Sequence, residues 1–204
     1  MRYYGEEALG LIETLGMVPA IYGADAMLKA ASVQLISYEN VGSSLVTIMV
    51  KGDVAAVRAS VEAGAKAAVE IGKLTAQNVM PRPIRAVGEI VNIHAVEDDP
   101  ATGEKPRPEA LGMVETFGVV FLLEAVDAMV KSANVEYIGY ENVASGYCSV
   151  LVQGDVAACQ AAVAAGVKAV EDMQGNLYSS CVIPTPHPDL PKLIKRYAPA
   201  DPLT

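Results

Sequence analysis

Tryptophan is absent from this sequence and phenylalanine occurs twice, so the apolar content, 52% of 204 residues, is carried mainly by Ala, Val, Leu, Ile and Met. Such small side chains let backbones pack closely, between elements or between subunits. The length suits one ordinary domain or two small ones. Cysteine is scarce. Cys148, Cys159 and Cys181 are odd in number, confined to the second half and without CxxC spacing, which argues against a disulfide framework and against a zinc site. Histidine is represented by His94 and His187, at unrelated repeat positions and with no second His or acidic residue at ligand spacing. Positive charge is in deficit: a net charge of −9 gives no field to attract DNA or RNA and suits a partner with basic surfaces better. Long apolar runs are also missing, since Asp, Glu, Lys or Gly interrupts each one, and none reaches the length of a membrane span. Met1–Glu7 carries no apolar run after a basic region, so no signal peptide is expected. These absences predict a soluble, reduced, cytoplasmic protein with neither nucleic-acid nor membrane partners.

What the sequence does have is an internal repeat. Ala8–Thr14 returns as Ala110–Thr116, Asp25–Lys29 as Asp127–Lys131, Tyr38–Val41 as Tyr140–Val143, and Gly52–Ala56 as Gly154–Ala158. The offset is constant from Ala8 to Lys66, and roughly half of those positions are identical. One inserted residue then separates the copies before Val79–Pro83 and Val182–Pro186. A unit of this length is too long for a solenoid and suits two small domains related by pseudo-symmetry. Between them, residues 98–108 are polar, rich in Pro and Gly, and aperiodic, as expected of a linker. The division predicted is therefore a first domain over 1–97, a linker over 98–108, and a second domain over 109–204 with a C-terminal helical extension, Leu190–Tyr197.

Within the first copy, Leu9–Leu15 reads as a strand and Val18–Ala31 as a helix carrying Asp25 and Lys29 as a surface pair. Val33–Val41 and Leu45–Val50 read as a hairpin around Gly42-Ser43-Ser44. Asp53 is a good N-cap for a long helix ending near Gly72. That helix has an apolar stripe of Val54, Val57 and Val61, and a solvated row, Arg58, Glu62, Lys66 and Glu70, expected to form weak salt bridges. A last strand, Leu74–Met80, is stopped by Pro81 and Pro83. The order β-α-β-β-α-β predicts an α+β fold, two tandem ferredoxin-like (split βαβ) units.

These residues resemble the shell domain of bacterial microcompartments. That family opens on an Ala-Leu-Gly-x-x-Glu-Thr strand, matched by Ala8–Thr14 and Ala110–Thr116. Its first helix ends like Asp25–Val33 and Asp127–Val135, and its second helix starts like Lys51–Val54 and Gln153–Val156. Its last strand ends like Met80–Pro83 and Ile183–His187. The resemblance implies a homotrimer imitating a hexamer, a tile with a central pore for small polar metabolites. Its other partners would be further shell proteins and encapsulated enzymes. The unpermuted element order implies the single-layer tandem type. The resemblance also places Gly42, Ser43, Ser44, Ala144, Ser145 and Gly146 around the pore, and makes Lys29, Lys131 and Arg82 tile-edge contacts. Small uncharged residues in that turn offer hydrogen bonds without a charge barrier, although Gly and Ser are also what an ordinary hairpin turn uses.

Some tandem shell proteins hold an iron–sulfur cluster through a Cys in this turn. Gly42 and Ala144 stand there in this sequence, so no such cluster, and no other cofactor or metal, is expected. Cys148 and Cys159 take the places of Val46 and Val57 and read as small core residues. Glu13 and Glu115 could suggest acid–base chemistry. Their repetition argues instead for a shared structural job, such as receiving backbone or subunit hydrogen bonds. No Gly-rich phosphate loop, nucleophile elbow or metal motif is present, so the expected function is structural rather than enzymatic. A small-molecule-binding regulatory trimer on the same fold is the alternative.

Overall fold

The computed structural model describes residues 3–96 and 109–194. The expected linker lies outside the described residues, as do residues 195–197 of the expected terminal helix. The first repeat runs β1 (Ala8–Leu15), α1 (Met17–Ala30), β2 (Gln34–Gly42), β3 (Leu45–Gly52), α2 (Val54–Ile71) and β4 (Lys73–Met80). A short helix α3 (Arg85–Val91) and a 3-10 turn (Asn92–His94) follow. The second repeat runs β5 (Ala110–Phe117), α4 (Val119–Ser132), β6 (Glu136–Asn142), β7 (Tyr147–Gly154), α5 (Val156–Asp172) and β8 (Asn176–Ile183), then α6 (Pro191–Ile194). Each repeat forms an antiparallel four-stranded sheet, ordered β2-β3-β1-β4 and β6-β7-β5-β8. This is the split βαβ arrangement of an α+β fold, twice over.

Local chemistry explains the boundaries. The Asp53 carboxylate accepts from the Ala55 and Ala56 amides, both at 3.0 Å, and Asp155 accepts from Ala158 at 2.8 Å, so both long helices start at an acidic cap. The residue inserted in the second repeat is Gln174, which turns the chain after α5 in a left-handed conformation (φ 55°). Helices α1 and α2 lie so close that a Cβ on Gly64 would stand 2.3 Å from Met27 Cγ.

Two expectations about helix faces change. Val57 and Val61 are buried as expected, but Val54 is 38% exposed. It is the first residue of α2, and helical side chains lean toward the N-terminus, so it projects past the start of the stripe. Arg58, Glu62, Lys66 and Glu70 are exposed, and among the described residues they form no ion pair with one another.

The two repeats are packed differently. Helix α1 buries Met17, Val18, Ala20, Ile21, Ala24, Met27 and Leu28, whereas α4 buries Leu122, Ala125 and Met129. The difference is the second repeat. Helix α1 lies against β5 and β8, on the sheet face turned away from α4 and α5. One buried cluster joins it to Leu111, Met113, Leu151, Ile183, Leu190 and Leu193. Asp25, expected at a helix surface, is therefore 5% exposed.

Candidate functional site

The two hairpin turns are held by the same device. Asn40 Oδ1 accepts from the Gly42 amide at 3.1 Å, and Asn142 Oδ1 from the Ala144 amide at 3.0 Å. Both turns are left-handed, at Gly42, Ser43 and Ser44 and at Ala144, Ser145 and Gly146. Of five non-glycine residues with positive φ among the described residues, four are here. That conformation costs a side-chain-bearing residue of order 1 kcal/mol, so the strain of the fold is concentrated at this place. Gly146 meets a further demand: a Cβ there would stand 2.8 Å from the Phe117 ring.

The fold brings these two distant turns into contact. The Ser44 amide donates to the Val143 carbonyl at 2.9 Å, and the Ser44 hydroxyl donates to the Ala144 carbonyl at 2.7 Å. Ser44 is fully buried, so its hydroxyl serves the junction. Ser43, Ala144, Ser145 and Gly146 are exposed and Gly42 is partly so. The surface of the paired turns is thus small and uncharged, with two free-standing hydroxyl-bearing residues.

An aromatic support that no motif in the sequence marks lies beneath the second turn. Tyr147 packs edge-on against Phe117 (5.5 Å between centroids) and Tyr178 (4.8 Å). The Tyr178 hydroxyl donates to the Leu15 carbonyl of the first repeat at 2.9 Å. The signal was in the comparison of copies, where Leu15, Leu45 and Thr75 stand opposite Phe117, Tyr147 and Tyr178.

Glu13 and Glu115 occupy one position in two environments. Glu115 is fully buried and accepts from the α1 amides of Met17 (2.8 Å) and Val18 (3.1 Å), so the second repeat caps a helix of the first. Burial pushes its carboxyl up to about 7, against the opposing effect of those two hydrogen bonds. Gly16 makes room, since a Cβ there would lie 2.7 Å from Glu115 Oε2. Glu13 is partly exposed and accepts from the hydroxyls of Thr47 (3.1 Å) and Thr75 (2.9 Å).

The three candidate edge cations lie on the surface. Lys29 pairs with Asp25, which also accepts from the His187 amide at 2.7 Å. Lys131 pairs with Asp127 at 2.6 Å. Arg82 is exposed in the turn that follows β4. Cys148 and Cys159 are buried, and burial pushes both thiols up. Cys181, on β8 facing α1, is pushed up to about 12, first by burial and then by Asp25 and Glu115. Among the described residues, no three His, Cys, Asp or Glu side chains are placed to hold a metal ion, and no helix is long and apolar enough to cross a membrane.

Comparison with known proteins bears directly on this architecture. The BMC domain pattern matches residues 8–83 and again 110–186. The carboxysome assembly protein CcmO of Synechococcus is 39% identical over 186 residues, 90% of this chain and 67% of that protein. The chain spans about two thirds of the length of such CcmO relatives. The bacterial microcompartment shell protein PduA of Salmonella typhimurium is 51% identical over 86 residues, 42% of this chain and 92% of that protein. A crystal structure of a microcompartment protein from Desulfitobacterium hafniense shares 32% identity, covering 91% of this chain and 98% of that one, with a TM-score of 0.40.

Proposed function

The chain belongs to the BMC-domain family, with two copies of the domain in tandem, and on that premise we propose that three copies close head to tail into a pseudohexameric ring that serves as a microcompartment shell tile. The observation that carries this is the contact between the repeats. It is heterologous: the outer face of α1 meets the far face of the second sheet at β5 and β8. The chain uses one such contact and leaves the complementary half of it at each end. On α4, Val119, Val120, Leu123 and Val130 are 43%, 64%, 61% and 44% exposed, at the positions where α1 buries Met17, Val18, Ile21 and Leu28. On the other side β4 has no buried residue, whereas β8 buries Ser179 and Ile183. Heterologous contacts generate closed rings or open filaments, and the family resemblance supplies the count of six repeats. Covering each of those four side chains contributes about 1 kcal/mol per contact.

In this reading residues 1–97 and 109–204 are two shell domains joined by 98–108. Gly42, Ser43, Ala144, Ser145 and Gly146 rim a central pore, with Ser44 locking the two turns of each chain together. The rim carries no charge, which suits small polar metabolites. Lys29, Lys131 and Arg82 face neighbouring tiles, which are further shell proteins, and the enclosed enzymes lie on one side of the sheet. The role is architectural, not catalytic, and its place is the cytoplasmic microcompartment shell. Overexpression followed by electron microscopy tests it. Flat sheets or tubes with a hexagonal lattice are expected, and a dispersed protein that forms no lattice at any concentration overturns it.

A further inference from the structure

Glu13 and Glu115 stand at the same register, opposite Thr47 in β3 and Ser149 in β7. Yet Glu115 accepts two helix amides and Glu13 accepts two hydroxyls. The acceptors are matched by a helix start without one. Helix α4 begins after Gly118, which has no side-chain oxygen to cap it, and among the described residues the amides of Val119 and Val120 have no hydrogen-bond acceptor. Their counterparts Met17 and Val18 are the two amides held by Glu115.

The space around the two helix starts agrees. Gly16 and Gly118 share a left-handed conformation (φ 90° and 107°). At Gly16 the space a Cβ would fill is occupied by the Glu115 carboxylate and the Tyr178 ring, both 2.7 Å away. At Gly118 the same direction meets the Phe121 ring, at 3.4 Å and beyond. The cradle is filled at α1 and open at α4. A second contact runs in the same register. The His187 amide donates to Asp25 Oδ1 at 2.7 Å, and the corresponding pair is the exposed Ile84 with Asp127, whose side chain is 54% exposed.

We infer that Glu13 crosses the subunit boundary to cap α4 of the next chain, its carboxylate leaving Thr75 to accept the Val119 and Val120 amides of a second copy. The inference rests on the ring reading and assigns the polar contact within it. A carboxylate at a helix start satisfies donors that stay unpaired elsewhere and lies at the positive end of the helix dipole. The apolar face of α4 supplies attraction. Glu13 fixes which end of which element it meets, so that the contact is head to tail.

The test uses the full chain. Glu13→Ala should weaken each contact about tenfold, which in a three-membered ring raises the midpoint concentration of trimer dissociation on the order of thirtyfold. Glu13→Gln, with one acceptor oxygen, should fall between. Thr75→Val removes a partner of Glu13 in the isolated chain but not in the ring, and should leave the midpoint unchanged or lower it. Hydrogen exchange gives the independent readout: the Val119 and Val120 amides should be protected in the wild-type ring and lose that protection in Glu13→Ala rings formed at high concentration. If the wild-type ring forms and Glu13→Ala changes neither the midpoint nor the exchange, the Glu13 cap is wrong and the ring stands. If the wild-type chain does not assemble, both fall together.

Discussion

Glu115 makes the junction between the repeats depend on pH in a direction opposite to that of most acidic residues. Its carboxyl sits at about 7 instead of the usual 4.5, because complete burial outweighs two amide hydrogen bonds. Between those values the folded chain keeps a proton that the unfolded chain has released. Stability contributed by this group is therefore fully present below about pH 4.5, declines as pH rises, and is lost by slightly above pH 7. The displacement corresponds to about 3 kcal/mol. Glu115→Gln removes the titration. It also leaves one of the two buried α1 amides facing an NH2 group, a cost of about 1–3 kcal/mol that does not vary with pH. Urea unfolding of both chains at intervals from pH 4.5 to 8 measures the effect as a difference, which cancels the other carboxylates. The wild type should lose about 3 kcal/mol relative to Glu115→Gln across that interval. Parallel profiles would refute the account of Glu115 as a buried, proton-holding cap.

Three further outcomes follow from the same geometry. Gly64→Ala forces a Cβ to within 2.3 Å of Met27 Cγ and should destabilise the chain by about 1–3 kcal/mol in thermal or denaturant unfolding. Replacing Ser43 and Ser145 with leucine should slow metabolite passage through assembled shells; both side chains are exposed, so the cost to the unassembled chain should be confined to the left-handed backbone at these positions, about 1 kcal/mol each, and unchanged flux would remove them from the pore. Lys131→Ala should spare the ring and impair sheets seen by electron microscopy, since the exposed ion pair it loses with Asp127 contributes only tenths of a kcal/mol; Lys29→Ala should impair sheets too, but it also strips the ion-pair partner from the buried Asp25 and should destabilise the chain by about 1 kcal/mol or more. Intact sheets would remove both from the tile edge.

Much of one repeat was legible in the sequence because local signals agreed there. Asp53 and Asp155 mark the helix starts, the turn residues mark the hairpins, and the two copies confirm each other position by position. What was not legible is whatever depends on which repeat touches which. Ile21 and Leu123 occupy the same place in similar helices, yet one is fully buried and the other 61% exposed. No periodicity distinguishes them, because the difference lies in the second sheet that covers α1. Asp25 read as a surface residue for the same reason. Glu13 and Glu115 are identical in type and neighbourhood along the chain, and only the joining of the repeats gives them different partners. Ser44 looked like its neighbour Ser43, but contact with the second turn buries its hydroxyl. The resemblance to shell domains supplied the roles proposed for the turn and the lysines, which composition and spacing alone do not carry.

Ring closure, as proposed, turns on the exposed face of α4 as half of the contact between chains. Sedimentation of the wild type beside Leu123→Asp tests it most directly. The wild type should run as a species of about 64 kDa, three times the 21.3 kDa chain. The variant should run as a single chain and unfold at the denaturant midpoint of wild type diluted below ring formation, because Leu123 is 61% exposed in the isolated chain and assembly raises the midpoint of the ring alone. A variant that still assembles like the wild type, or a wild type that stays a single chain at every concentration, would contradict it.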